Sequence, residues 1–252
     1  MNHKIAIVTG ASRGLGRNAA LRLASRGVDI IITYHSKRDE AEKVVAEIEA
    51  AGAKAAALQL DVSQSKSFTQ FAVGVKAILQ SKWQRNNFDY LVNNAGTGIN
   101  IPFIETSEEQ FDQMMNVHLK GVYFLTQKLV GLMADGGSIL NISSGLARFS
   151  FPGYSAYAVM KGAVEVLSRY LAKELGARGI RVNTLAPGAI ATDFGGGAVR
   201  DNQELNQHIA SLTALGRVGL PDDIGGVIAS MLSDDNRWVN GQRIEAAGGI
   251  FL

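Results

Sequence analysis

Short apolar runs alternate with longer segments of helical spacing along the whole chain. The runs cover residues 4–9, 29–34, 55–60, 90–93, 138–143, 180–185 and 242–246. Several are rich in Ile and Val and are bounded by Gly, Asn, Asp or Pro, as strands buried on both faces of a parallel sheet are. Between them, residues 16–26 place Ala19, Ala20, Leu23 and Ala24 on one helical face. Residues 39–51 repeat Ala41, Val44, Val45 and Ile48 against a charged opposite face. The longest predicted helices span 107–133 and 154–178, and Ser107 followed by Glu109 and Gln110 reads as a helix start. The alternation predicts an α/β fold: a single-domain, Rossmann-type doubly wound parallel sheet of about seven strands with helices on both faces. Such a sheet binds ligands at the carboxyl ends of its strands, so residues just past each run are the functional candidates. The irregular stretch from Pro187 to Gly219 holds Gly195-Gly196-Gly197 and a short helical patch over 203–212, and residues 188–219 read as a substrate lid.

Composition narrows the classes. A chain of 252 residues with 46% hydrophobic residues is expected to form one domain, residues 1–252. Its net charge of +2 is spread evenly, so neither nucleic acid nor membrane is an expected partner. With no cysteine, disulfides, thiolate nucleophiles and cysteine metal sites are excluded. The start lacks a signal peptide's apolar region, and no apolar run approaches the roughly 20 residues of a membrane helix, so the expected location is cytoplasmic. His3, His118 and His208 have no partners at ligand spacing and read as ordinary; no metal is expected.

Chemistry enters after the first run. Thr9-Gly10-Ala11-Ser12-Arg13-Gly14-Leu15-Gly16 joins a predicted strand to a predicted helix. Glycines there permit a tight turn and close approach to a pyrophosphate, while the helix start offers free N–H groups and partial positive charge. No Gly-Lys-Ser/Thr follows, so this is not a Walker loop. Where an NAD enzyme of this fold carries a carboxylate at the end of strand two, this chain has Thr33-Tyr34-His35-Ser36-Lys37-Arg38. Hydroxyls and cations suit a 2′-phosphate, and Arg13 is placed to reach the same region, so NADP(H) is favoured over NAD(H). Tyr34, His35 and Ser36 are nearest the expected pocket. Asp61-Val62 closes strand three, and Asp61 reads equally as an adenine contact or a helix cap.

Tyr157 and Lys161, four apart on a predicted helix, share a face. A lysine charge beside the phenol is expected to lower its pKa from about 10 and fit it for general acid–base work. Ser144, just past strand five, is placed to bond the same substrate oxygen. Tyr154 has Ala158 as its i+4 partner and reads as a pocket wall. With Asn93-Asn94-Ala95-Gly96, Asn116 and Pro187-Gly188 added, order and spacing resemble the short-chain dehydrogenase/reductase family over nearly the whole chain.

That resemblance implies further roles. Lys161 also holds the nicotinamide ribose, and Asn116 carries a proton-relay water. Asn94, Ala95 and Gly96 line the ribose and pyrophosphate, and Ile190 and Thr192 meet the carboxamide after the Pro187-Gly188 turn. It also implies a homotetramer. One departure is Met160, where the family often has a small residue before the lysine. The resulting expectation is an NADP(H)-dependent oxidoreductase exchanging hydride with a ketone, aldehyde or secondary alcohol carbon, with Tyr157 as acid/base and an apolar or aromatic small-molecule substrate. Rivals are a 3-oxoacyl-carrier-protein reductase docking its carrier on Arg169, Lys173 and Arg178, an NAD-linked alcohol or sugar dehydrogenase, and a non-catalytic NADP-sensing protein. Arg169, Lys173 and Arg178 otherwise read as a solvated face, and Trp83 and Trp238 as packing or interface residues.

Overall fold

The computed structural model describes residues 3–252. In chain order the elements are β1 (Ile5–Val8), α1 (Gly14–Ala24), β2 (Asp29–Tyr34), α2 (Arg38–Ala50), β3 (Ala55–Gln59), α3 (Phe68–Trp83) and β4 (Phe88–Asn93). Then come α4 (Glu108–Met115), a π-helical turn (Asn116–Lys120), α5 (Gly121–Leu129), β5 (Met133–Ile142), α6 (Ser155–Glu174) and β6 (Arg181–Pro187). Last are α7 (Ala198–Asp201), α8 (Gln203–Ser211), α9 (Pro221–Leu232) and β7 (Arg243–Ala246).

The strands form one parallel sheet in the order β3-β2-β1-β4-β5-β6-β7. Strand alternation feeds two cores. β1 sends Ala6 and Val8 to a layer built with α1, α2 and α9, and Ile5 and Ile7 to a layer built with α3 and α5. β2 repeats this, with Ile30 and Ile32 in the first layer and Ile31 in the second. All these side chains are fully buried, and each Ile or Val among them contributes about 1.5–3 kcal/mol of transfer free energy. The order places the switch point between β1 and β4, so the ends of β1, β4, β5 and β6 open onto one edge.

At the opposite edge, buried carboxylates hold the strand starts. Asp89 accepts from the Ile5 N–H at 2.8 Å and from Arg85 at 3.0 Å. Asp29 accepts from the Trp83 indole at 2.8 Å, so Trp83 is a packing residue, whereas Trp238 is 96% exposed. Among the described residues no helix is long and apolar enough to cross a membrane.

Three features depart from the sequence expectation. Helices α3 and α9 have no counterpart among the predicted elements. The helix expected over 107–133 ends earlier, with Met133 opening β5, and is broken by the π turn. Arg178 does not sit on a solvated face: it leaves α6 for the following 3-10 turn and bonds Asp135 and the carbonyls of Val130 and Met133.

Gly121, whose N–H closes the π turn onto the Asn116 carbonyl, has no room for a side chain. A Cβ there would press on the Val62 carbonyl oxygen and come within 2.9 Å of the Asn116 carbonyl. Only glycine lets the helix pass the β3–α3 connection this closely. Gly121→Ala is therefore expected to lower stability by about 1–3 kcal/mol in urea unfolding, through overpacking against backbone that cannot yield.

Candidate active site

The loop between β1 and α1 is held from two sides. Gly10 has φ +64°, and a Cβ there would meet the Ala95 Cα at 2.8 Å, so the loop lies directly on the end of β4. The Thr9 hydroxyl accepts from the N–H groups of Asn94 and Ala95 at 2.9 and 3.0 Å. Asn94 returns its side-chain amide to the Thr9 carbonyl at 2.8 Å. Ala11 N–H donates to the Thr33 carbonyl at 2.9 Å, tying the loop to β2. Helix α1 has no capping side chain at Arg13 and no acidic residue in its first turn. The N–H groups around Gly14, Leu15 and Gly16 therefore present unneutralised positive potential, as an anion requires. Ser12 is half-buried and Arg13 exposed beside them.

At the end of β2, Tyr34 packs on the first core layer while His35 and Ser36 are exposed. Asp61 caps a turn: one carboxylate oxygen accepts from the Ser63 N–H and hydroxyl at 2.9 and 2.7 Å, and the other lies 3.5 Å from His35. Val62 packs on the second core layer. With no carboxylate at Tyr34–Ser36 and free N–H groups at α1, these residues fit a dinucleotide carrying a 2′-phosphate.

Helix α6 turns Tyr157, Met160, Lys161 and Val164 inward. Lys161 Nζ donates to the Ile142 carbonyl at 2.7 Å and lies 5.5 Å from the Tyr157 ring centre. Burial lowers the Lys161 pKa to about 8. Ser144, just past β5, is within hydrogen-bonding reach of Tyr157, and its hydroxyl also accepts from the Leu146 N–H at 3.2 Å. The phenol does not become acidic as expected. Burial pushes its pKa up, outweighing the Ser144 hydrogen bond that draws it down. Removing the phenolate from water dominates, while the lysine ammonium is directed at the strand carbonyl.

His118, which reads as ordinary in the sequence, belongs to this site. It is fully buried, with its ring edge-on to Tyr157 at 5.0 Å between centres. Nε2 lies 2.7 Å from the Thr97 carbonyl, and Nδ1 has no partner among the described residues. Burial, followed by the charge of Lys161, pulls its pKa down to about 3, so it stays neutral. Its only signal in the sequence is position, two residues past Asn116. Asn116 itself opens the π turn, its carbonyl accepting from the Gly121 N–H.

The segment after β6 covers both halves. Pro187 ends the strand, and Gly188 N–H donates to the Ala246 carbonyl at 3.2 Å. Ile190 bridges Gly219 and packs on the first core layer. Thr192 lies against Gly14, and Asp193 is 3.5 Å from Arg13. Phe194 stands 5.6 Å from Tyr157 between ring centres and fills the space a side chain at Gly98 would need. Gly96 abuts His118 and Tyr154 is half-buried beside Phe151. Among the described residues no His, Asp or Glu group is arranged to hold a metal ion.

The family model described as enoyl-(acyl carrier protein) reductase matches residues 10–250. The chain belongs to the short-chain dehydrogenase/reductase family. It is 35% identical to the hydroxynaphthalene reductase-like protein Arp2 of Metarhizium brunneum, over 98% of this chain and 94% of that one. It matches the structure of LugOII, described as a promiscuous reductase that catalyses keto-reduction at C1 during lugdunomycin biosynthesis, with 38% identity, TM-score 0.93 and coverage of 99% and 98%. The angucycline C-6 ketoreductase LanV with bound NADP matches with 35% identity, TM-score 0.94 and coverage of 98% and 95%.

The Lys161 cation releases its proton as pH rises through about 8 and is intact below it. For ketone reduction, kcat/KM should be level at lower pH and fall about tenfold per unit above that value, measured with the free enzyme's profile.

Proposed function

We propose that this protein reduces a neutral aromatic ketone with NADPH, with Tyr157 donating the proton. The observation that carries the reading is the convergence of Ser144, Tyr157 and Lys161, from β5 and α6, at the strand ends beside a loop shaped for a dinucleotide. When bound, NADPH would supply the hydride that reduces the carbonyl carbon. Tyr157, held protonated by burial, gives its proton to the carbonyl oxygen, and the Ser144 hydroxyl orients that oxygen. Lys161 places a positive field beside the developing negative charge and holds the ribose. Arg13, Ser36 and His35 take the 2′-phosphate, and Gly10, Gly14, Leu15 and Gly16 cradle the pyrophosphate. Asn94, Ala95, Gly96, Asp61 and Val62 lie along the nucleoside, Pro187, Gly188, Ile190 and Thr192 at the carboxamide, and Asn116 serves the proton relay. Residues 188–219 are the lid over the substrate, within a single domain.

Support for the substrate class is twofold. Phe194, Tyr157 and His118 give the site aromatic walls, and the relatives carry hydroxynaphthalene, lugdunomycin and angucycline in their names. Carrier-protein docking is the weaker reading, because Arg178 is committed to internal carbonyls and leaves only Arg169 and Lys173 exposed. Tyr157→Phe should lose about a hundred- to ten-thousand-fold in kcat while NADPH affinity by fluorescence titration is unchanged. The parent should turn over polycyclic aromatic ketones faster than ionised keto acids. A near-normal Tyr157→Phe rate defeats the mechanism; a preference for keto acids defeats the substrate class.

The same reading includes a cytoplasmic homotetramer. Phe111, Tyr123, Phe124, Val159, Val166 and Tyr170 leave the outer faces of α4, α5 and α6 apolar and exposed, which suits burial by other copies. Sedimentation at micromolar concentration should give a tetramer, and a monomer there counts against it.

A further inference from the structure

Helix α6 carries a third inward residue on the stripe that holds Tyr157 and Lys161. Glu165, one turn beyond Lys161, has one carboxylate oxygen that accepts from the Ser143 hydroxyl at 2.6 Å and from Arg243 Nε at 2.7 Å. Arg243 comes from the edge strand β7, and its Nη2 donates to the carbonyl of Ser144 at 3.3 Å. Its Nη1 is held by Glu245 at 3.2 Å, which also takes Arg148 at 3.1 Å. Both members of the central pair are largely shielded, with side chains 21% and 15% exposed. Three consecutive groups at the end of β5 are thus gripped in turn: the Ile142 carbonyl by Lys161, the Ser143 hydroxyl by Glu165 and the Ser144 carbonyl by Arg243.

We propose that Glu165 and Arg243 are positioning residues for the reaction: the pair fixes Ser144 relative to Tyr157 and Lys161 by locking β5, α6 and β7 into one frame. The inference rests on the reading of Ser144 as the group that orients the substrate oxygen. Its physical basis is that β5 ends at Ile142, so Ser144 has left the ladder and needs other partners to hold its backbone. Ser143 N–H still donates to the Leu185 carbonyl at 2.7 Å, but the Ser144 carbonyl has Arg243 and the turn amide of Ala147 to hold it. The shielded ion pair and its hydrogen bonds restrict the Ser144 hydroxyl to one approach toward Tyr157. A planar guanidinium that bonds Glu165, Glu245 and the Ser144 carbonyl at once holds such a geometry where a lysine ammonium at the same place would not.

Two measurements test the frame. In hydrogen exchange by mass spectrometry, Arg243→Gln and Glu165→Ala should raise exchange over residues 143–149 at least about tenfold, since each tenfold reflects only about 1.4 kcal/mol of local opening. In steady-state reduction of an aromatic ketone, both variants should lower kcat with NADPH affinity unchanged, and Glu165→Gln should lose less than Glu165→Ala. Adding Arg243→Gln to Ser144→Ala should cost little beyond Ser144→Ala itself, because the pair acts through that serine. Unchanged exchange over 143–149 overturns the frame, and so do multiplicative losses in the double variant. Should Arg243→Gln unfold the chain, Arg243→Lys takes its place; loss of fold in both makes the pair a stability element and ends the proposal. An inert parent instead defeats the reading of the site, with the exchange result still deciding the frame.

Discussion

The ammonium of Lys161 lies inside the protein, 5% exposed, and donates a 2.7 Å hydrogen bond to the Ile142 carbonyl. Taking a charge out of water costs several kcal/mol even after relaxation. One strand carbonyl and the face of the Tyr157 ring offset part of that cost, and the pKa falls to about 8. Glu165, the nearest carboxylate on the same helical stripe, spends its oxygen on Ser143 and Arg243. The lysine charge therefore stays uncompensated by an anion and acts on whatever enters the site. Much of the surrounding design follows from sheltering that one cation.

His118 shows the same field at work on a neighbour. Buried beside Tyr157, it could in principle share the proton chemistry, but burial and the lysine charge together keep it neutral. Its role is then to wall the phenol with an edge-on ring. Tyr157 answers to the stronger of two effects: desolvation holds the proton on, and the lysine is too committed to its carbonyl to reverse that. A phenol that keeps its proton is a donor in waiting. That state serves reduction, where negative charge grows on the substrate oxygen, better than it serves alcohol oxidation, where the phenol must first be emptied.

The sheet was legible in the sequence because parallel strands are buried on both faces and so read as continuous apolar runs; β2 falls at residues 29–34 as expected. The glycine loop between β1 and α1 and the shared helical face of Tyr157 and Lys161 were legible for a related reason, since both are local and fixed by spacing. What escaped depends on distance. Glu165 and Arg243 are 78 residues apart, and no pattern in either segment announces their meeting. The close packing of Gly121 on the Val62 carbonyl was hidden because Val62 lies on the far side of α3 in the chain. The acidity of Tyr157 was misjudged because helical spacing reports that two side chains share a face but not where their charged ends point.

The segment after β6 ties these parts together through three consecutive side chains. Thr192 rests on Gly14 of the phosphate loop, Asp193 faces Arg13, and Phe194 stands over Tyr157 and against Gly98. These contacts are unequal. Arg13 and Asp193 are 60% and 41% exposed at 3.5 Å, and such surface pairs contribute about 0–1 kcal/mol. Phe194, 41% exposed, buries somewhat over half of a large apolar ring, and that contact holds the segment more strongly than the ion pair does. The segment is thus anchored by the Phe194 ring on Tyr157 and only weakly by charge on the β1–α1 loop. Under the proposed function, a flat apolar ketone would enter by replacing that ring's contacts with its own, which would tie its recognition to the surface that buries the Tyr157 hydroxyl.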